Sequence, residues 1–274
     1  MADVRAAREG GAVAGVSGGR AIRVQTNTRK GDSAMRQIIR ITLAAVVSSV
    51  AVFALVEPAK AETIVNSTAE LLKNKTAMQY VFSRPAMLVM YQLGVEDDKK
   101  FNLQPDCKSK YQVKPVGAVV LKPITFPDGG QNPTKGIWLT RYQLDRCGDS
   151  KIYNTLFLAD ANGGNPTPKA FYPGNPLAGP TLVQDAVMLA VTTAIARSGL
   201  KECTKADVFD MRVTQPPHDV IEAGKTMRGV WNELWTFKAC GQMLDVAMTF
   251  TPDADGGGTS FSTGPVTSKR AGSQ

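Results

Sequence analysis

Two similar loops carry oxygen-bearing side chains at spacings that suggest metal chemistry. The segment 160–164 reads Asp-Ala-Asn-Gly-Gly, and the segment 253–257 reads Asp-Ala-Asp-Gly-Gly. Oxygen ligands at alternate positions before a glycine are typical of the first half of a calcium loop. The twelfth position, where an EF-hand carries a bidentate Glu, holds Phe171 in one loop and Gly264 in the other. We therefore expect strand-terminal turns with Asx hydrogen bonds. The weak metal candidates within them are Asp160, Asn162, Asp253 and Asp255.

Other catalytic constellations are sparse. His218 is the only histidine, which excludes sites built from several His ligands. The G-x-S-x-G elbow of serine hydrolases does not occur. Carboxylate pairs such as Asp207 and Asp210, or Glu222 and Glu233, have the chemistry for acid–base work, but the sequence does not show that they share a cleft. We assign no catalytic residue and no cofactor, and this pattern favours a protein without enzymatic activity.

One unit of sequence occurs twice, at an offset of 93 residues. Aromatic residues stand opposite aromatic residues, and a Cys-Gly pair stands opposite another, over 27 positions. Such register is the signature of an internal repeat. The matched pairs include Trp138/Trp231, Tyr142/Trp235, Leu144/Phe237, Cys147/Cys240, Phe157/Phe250 and Asp160/Asp253.

The four cysteines fit this repeat. In each unit one Cys precedes the Cys-Gly pair, by 40 residues in the first unit and by 37 in the second. The spacing predicts the disulfides Cys107–Cys147 and Cys203–Cys240, which need an oxidising compartment. The alternative, a zinc site with four Cys ligands, normally shows C-x-x-C pairs, which are absent from the chain.

The amino-terminal segment has the pattern of an export signal. Residues 41–56 are mostly apolar, follow Arg36 and Arg40, and precede small residues at Ala59 and Ala61. We predict cleavage after Ala61 and translation from Met35, with an uncleaved signal anchor as the alternative. We therefore expect a periplasmic or secreted bacterial protein with no stable membrane span after cleavage.

Removal of this segment changes the charge of the chain. Residues 1–61 hold nine of the 32 bases and four of the 24 acids, so 23 bases and 20 acids remain, a net charge of +3. No cluster of Lys and Arg interleaved with aromatics follows. We therefore expect no nucleic-acid partner.

Each unit is predicted to contain a helix followed by about three antiparallel strands. The first helix begins after Ser67 or Thr68, is kinked at Pro85 or divided there into two helices, and ends at Gly94 and the charged run Glu96 to Lys100. The second helix covers 182–195, is apolar on nearly every side, and is therefore expected to be buried on several sides. Alternating, β-rich patterns predict strands at 111–121, 137–144 and 151–158, and again at 208–213, 230–237 and 244–251.

The predicted fold class is α+β, with two tandem pseudo-repeats packed as one disulfide-stabilised domain. Its first repeat spans 62–164 and its second spans 181–263, with a Pro/Gly-rich linker at 165–180 and a disordered tail at 264–274.

The aromatic residues of the paired strands prompt a functional hypothesis. Trp138 and Tyr142 share one strand face, and Trp231 and Trp235 share its counterpart. Core packing is one interpretation of these four residues, and a ligand groove between the repeats is the other. We expect a non-enzymatic envelope protein that binds a small molecule, a lipid or a protein. The alternatives are a cell-envelope hydrolase that uses carboxylates, and a structural or assembly factor.

Overall fold

The protein consists of two antiparallel sheets with few helices. The computed structural model describes residues 62–108, 111–200 and 202–270. The expected export signal falls in residues 1–61, outside the described residues. The strands are β1 (Thr63–Val65), β2 (Gln112–Phe126), β3 (Lys135–Arg146), β4 (Asp149–Leu158), β5 (Thr167–Phe171), β6 (Ala206–Glu222), β7 (Lys225–Ala239), β8 (Gln242–Pro252) and β9 (Thr259–Arg270).

The first sheet has the order β1-β2-β3-β4-β5 and packs beneath three helices, α1 (Thr68–Lys73), α2 (Lys75–Val81) and α3 (Arg84–Phe101). Along each strand, large side chains on the inner face alternate with side chains on the outer face, because successive side chains of a strand lie on opposite faces. Trp138, Tyr142, Tyr153 and Phe157 form the centre of this core with residues of the helices. We call residues 62–171 the first half of the protein.

The helical segment of the first half differs from the kinked helix, or the pair of helices divided at Pro85, that we expected. Ser67, Asn74 and Ser83 each accept a backbone N–H at the start of a separate helix. Pro85 lies in the first turn of α3, where its missing N–H costs nothing, rather than at a kink. Side-chain capping therefore divides the segment into three helices.

α3 also continues through Gly94 and the charged run Glu96 to Lys100, where we expected it to end, and reaches Phe101. The helix passes close to β3 there, because a Cβ at Gly94 would lie 3.0 Å from Leu144 Cδ2. Glycine thus acts as a packing residue, and the helix ends only where Asn102 adopts a left-handed conformation.

The second sheet has the order β6-β7-β8-β9, and α4 (Pro180–Ser198) packs against it. Trp235, Phe237, Leu244 and Phe250 are buried beneath the small residues Ala186, Ala190 and Ala194. The expected burial of α4 on several sides is only partly met, because Met188 and Leu189 are exposed. We call residues 180–270 the second half.

Both predicted disulfides are present, Cys107–Cys147 and Cys203–Cys240. In each half the Cys-Gly pair forms the two-residue turn of a hairpin, at Cys147-Gly148 and at Cys240-Gly241. All four residues have positive φ. Such turns match the twist of the paired strands, although Cys rather than Asn or Asp occupies the first position.

Three strands were not predicted. β1 is three residues long, β5 forms within the segment expected to be a linker, and β9 extends to Arg270 through most of the expected disordered tail. β5 pairs with β4, and β9 pairs with β8, so both lie at sheet edges. Their Pro, Gly, Ser and Thr residues are common in loops, so the sequence pattern does not predict these strands. Pairing with a neighbouring strand stabilises them.

The two halves share some features of the sequence repeat and differ in others. Trp138 stacks on Phe157 with ring centroids 5.5 Å apart, and Trp231 stacks on Phe250 at 4.9 Å. The first half has three helices and five strands, and the second has one helix and four strands. Neither half therefore has the one helix and three strands that we predicted for each unit.

Candidate functional site

The Asp-Ala-[Asn/Asp]-Gly-Gly loops are turns held by their own hydrogen bonds. Asp160 Oδ1 accepts the backbone N–H of Asn162 at 3.0 Å. Asp255 Oδ1 accepts the N–H of Gly257 at 2.9 Å, and Asp253 Oδ1 accepts the hydroxyl of Ser260 at 3.3 Å. This is the Asx chemistry expected of strand-terminal turns. Within residues 62–108, 111–200 and 202–270, no group of three or more His, Cys, Asp or Glu is positioned to hold a metal ion.

The carboxylates considered for acid–base work are separated by the fold. Asp207 pairs with Lys100 at 2.8 Å, and Asp210 pairs with Lys151 at 3.7 Å. Glu222 is exposed beside the turn between β6 and β7, whereas Glu233 is buried in the second half. The ion pairs of Asp207 and Asp210 join the first half to the second.

His218 lies on an exposed hairpin. There β6 and β7 continue past the last pair between β7 and β8, Trp231 with Phe250. The His218 Nδ1 atom contacts the carbonyl oxygen of Pro216 at 3.0 Å. We call residues 213–229 the hairpin arm.

The four aromatic groove candidates lie in the two cores. Trp138, Tyr142 and Trp235 have at most 1% of their surface exposed, and Trp231 has 8%. Their side chains pack against the helices and the neighbouring strands of their own halves. The groove interpretation of these residues is therefore corrected in favour of core packing.

Glu233 organises the polar centre of the second half. Its Oε1 atom accepts N–H groups from Leu177 (2.8 Å), Ala178 (2.8 Å) and the Trp231 indole (2.9 Å). Its Oε2 atom accepts the Trp235 indole N–H at 2.7 Å. A buried carboxylate needs such partners, because burial removes its water. The side chain thus fastens the segment before α4 to β7.

The same segment is fastened to the first half. Arg141 donates to the side chains of Asn154, at 3.0 Å, and of Asn175. The segment also contacts the second half, where Gly174, with a φ of 107°, lies directly against the backbone of Met211 in β6. A Cβ at Gly174 would overlap that backbone. We call residues 172–179 the connector.

A buried ion pair closes the first half near its disulfide. Asp98 of α3 lies 2.5 Å from the Arg146 Nε atom, and both side chains are 1% exposed. Tyr153 donates its hydroxyl to Asp98. Burial, together with this hydrogen bond, raises the pKa of Tyr153 above its ordinary value.

A groove of about 570 Å³ lies between the two halves. Five elements form it: the end of α3, β4, β5 with the start of the connector, α4, and the start of β6. Its volume is typical of small-molecule sites. Its apolar residues include Phe101, Leu156, Phe171, Tyr172, Val187, Met188, Val191 and Val208, and its charged residues are Asp97, Lys100, Lys169 and Asp207.

The apolar wall of the groove includes a large exposed side chain. Met188 has 68% of its surface exposed and lines the groove from α4. Phe171 and Tyr172 form an aromatic pair on the β5 side, with ring centroids 4.9 Å apart. Clustered exposed apolar surface of this kind marks interaction sites. Methionine also adapts its shape to different ligands.

The charged residues of the groove differ in their partners. Lys100 and Asp207 pair with each other. Among the residues that the structure describes, the side chains of Asp97 and Lys169 form no hydrogen bond and no ion pair within 4.0 Å, and the side chain of Lys169 is exposed. Burial raises the pKa of the Asp97 carboxyl, and the nearby Lys100 only partly offsets this effect. The carboxyl is therefore poorly solvated and has no partner of its own.

Sequence reasoning missed this groove, because its residues come from segments far apart in the chain. The large apolar residue Met188 on an otherwise Ala- and Val-rich helix was one available signal. Another was the run Lys169 to Pro173, in which a base and two aromatics stand within the presumed linker. Neither signal indicates that the two segments meet.

Among the helices of the described ranges, none combines the length and apolar character needed to cross a membrane. Comparison of the chain with protein-family models, with curated proteins and with solved structures finds no match.

Proposed function

We propose that this protein is a non-enzymatic binding protein of the bacterial envelope, and that its ligand is a small molecule or lipid held in the groove between the two halves. The observation that carries the proposal is the groove itself, with apolar walls, one exposed methionine and two charged side chains that form no ion pair within 4.0 Å. A concave, mostly apolar site with a few polar groups is the usual form of a ligand site.

The location in the envelope rests on two features. The amino-terminal segment has the pattern of an export signal, and both cysteine pairs form disulfides. Disulfides persist in oxidising compartments such as the periplasm. We propose periplasmic or secreted localisation, with the mature chain beginning at Glu62.

The proposal includes an origin by duplication. The register at an offset of 93 residues and the two matching disulfide hairpins support descent of both halves from one unit. Two joined copies create a seam that a single copy lacks. The groove occupies this seam, so we propose that it arose with the duplication.

The test is native mass spectrometry of the mature chain after expression to the periplasm, with Met188→Trp and Leu189→Trp as a matched pair. Both residues are exposed on α4, but only Met188 lines the groove. We expect the wild-type protein and Leu189→Trp to retain an adduct that Met188→Trp loses. The proposal fails if the wild-type protein carries no adduct and a panel of lipids and amphiphiles leaves its Tm unchanged.

The hairpin arm favours a second candidate function, that of an assembly factor. Val213 and Ile221 on the arm are 37% and 76% exposed. A two-stranded ribbon is only marginally stable without further packing, so a partner protein would stabilise it. A photo-crosslinking residue at Ile221 tests this function in cells. A discrete crosslinked band that is absent with the same group at Lys269 would support it, and identical patterns would contradict it.

A further inference from the structure

Two opposite charges of the groove form no ion pair within 4.0 Å, the half-buried Asp97 on α3 and the exposed Lys169 on β5. Lys100 pairs with Asp207 at 2.8 Å and only partly offsets the effect of burial on the pKa of the Asp97 carboxyl. Placing a carboxylate in a partly buried site without a partner costs free energy. A ligand with an ammonium group would supply a partner for Asp97, and an acidic group on the same ligand would pair with the exposed Lys169.

The remainder of the groove suits an apolar chain. The wall between β5 and α4 is apolar. It is lined by Phe171 of β5 and by Val187, Met188 and Val191 of α4. Met188 is 68% exposed, although burying a side chain of this size is favourable. A ligand complementary to this surface therefore has an apolar body as well as charged groups.

We propose that the groove binds a zwitterionic amphiphile of the lysophospholipid type, with its ammonium group at Asp97, its acidic group at Lys169, and its chain against Phe171, Val187 and Met188. This inference rests on the proposed function of the groove and specifies its ligand. The other simple amphiphiles each leave a charge unpaired. An anionic amphiphile leaves Asp97, a cationic one leaves Lys169, and a neutral one leaves both.

The experiment measures the affinity of the mature chain for four amphiphiles with the same dodecyl-length chain, by calorimetry below their micelle concentrations. They are lauroyl lysophosphatidylethanolamine (zwitterionic), N-lauroylglycine (anionic), dodecylamine (cationic) and dodecyl maltoside (neutral). We expect the zwitterion to bind at least about tenfold more tightly than each of the others, because it alone pairs both charges.

Three variants identify the source of this preference. Lys169→Gln should weaken binding of the zwitterion and the anion but not of the cation. Asp97→Asn should weaken binding of the zwitterion and the cation but not of the anion. Lys225→Gln, at the end of the hairpin arm and outside the groove, serves as the matched control and should change no affinity.

The outcomes separate this inference from the proposed function. Equal affinities for all four amphiphiles would overturn the zwitterion and leave the groove as an apolar binding site. Binding of none of them, with the protein folded, would overturn both. Phenylalanine serves as a zwitterion without a long acyl chain. If it binds as tightly as the lysolipid, the acyl chain does not contribute to binding, and the proposal of an amphiphilic ligand is refuted.

Discussion

The prediction that tests the structure most directly concerns Glu233. This carboxylate accepts four N–H groups in the core of the second half, two from the connector and two from indoles. Glu233→Ala would leave four donors without an acceptor, three of them buried and the fourth, the Leu177 N–H, partly buried. The connector would lose the hydrogen bonds that hold it against β7.

The size of the effect follows from the count of donors. Leaving one buried donor unsatisfied costs about 1–3 kcal/mol. We use about 1 kcal/mol for each, because the substitution also removes the cost of burying the carboxylate. Four donors then predict a loss of about 4 kcal/mol in the free energy of unfolding. For a domain of this size, each kcal/mol lowers the Tm by about 2–4 °C.

The assay is urea unfolding followed by tryptophan fluorescence, since Trp231 and Trp235 donate to Glu233 itself. Glu233→Gln should be intermediate, with a loss of about 1–3 kcal/mol. Its amide oxygen can still accept three donors, but its NH₂ group then faces the Trp235 indole N–H. Glu222→Ala, the same change at an exposed position, is the control and should alter the stability by less than about 0.5 kcal/mol.

Two results would refute the reasoning. One is a stability of Glu233→Ala within about 0.5 kcal/mol of the wild-type protein, which would mean that the four donors find other partners or water. The other is a Glu233→Gln variant that is less stable than Glu233→Ala, which would mean that volume and charge outweigh the acceptor.

The remaining predictions concern titration, backbone conformation and crosslinking. Burial raises the folded-state pKa of Asp97 above 3.8, so the stability that this group contributes is present below pH 3.8 and is lost as pH rises through the folded-state pKa. The stability of Asp97→Asn relative to the wild-type protein should therefore increase from acidic to neutral pH, and a difference that is constant or falls in urea titrations would contradict this. Gly174→Ala should cost at least about 2 kcal/mol, because its Cβ would overlap the backbone of β6 at a φ of 107°. Gly179→Ala has open space around its Cβ and a φ of −64°, so it should cost less than about 1 kcal/mol, the difference between Gly and Ala as the N-cap of α4; equal Tm values for the two variants would refute the close contact. Replacing Cys203 and Cys240 by Ser opens a loop of 37 residues and should cost about 4 kcal/mol, while an unchanged urea midpoint would show that the disulfide does not constrain the unfolded chain.

Local patterns were sufficient for much of the fold. The alternation around Trp138 and Trp231 predicted β3 and β7, and the Pro180 and Gly199 boundaries predicted α4. The cysteine spacing predicted both disulfides, because a repeated unit constrains which cysteines can pair. These features depend on residues close together in the chain, or on a pattern that the chain repeats.

Local sequence patterns did not predict the edge strands β5 and β9 or the division of the first helical segment into three helices. β5 and β9 consist largely of residues that are common in loops, and they become strands because β4 and β8 offer hydrogen-bonding partners. The division of the first helical segment depends on Asn74 and Ser83, whose side chains cap new helices. Propensity is weak at such positions, and tertiary contacts or single hydrogen bonds determine the outcome.

The burial of individual residues was decided only in the folded chain. Alternation places Glu233 on the same strand face as Trp231 and Trp235, but it does not show which four N–H groups the buried carboxylate accepts. The sequence also does not show that Met188 is exposed on an apolar helix. The groove exists because α3, β4, β5, α4 and β6 meet, although these elements are far apart in sequence. Periodicity and turn chemistry are properties of neighbouring residues and can be read locally, whereas solvation, partners and cavities depend on long-range packing.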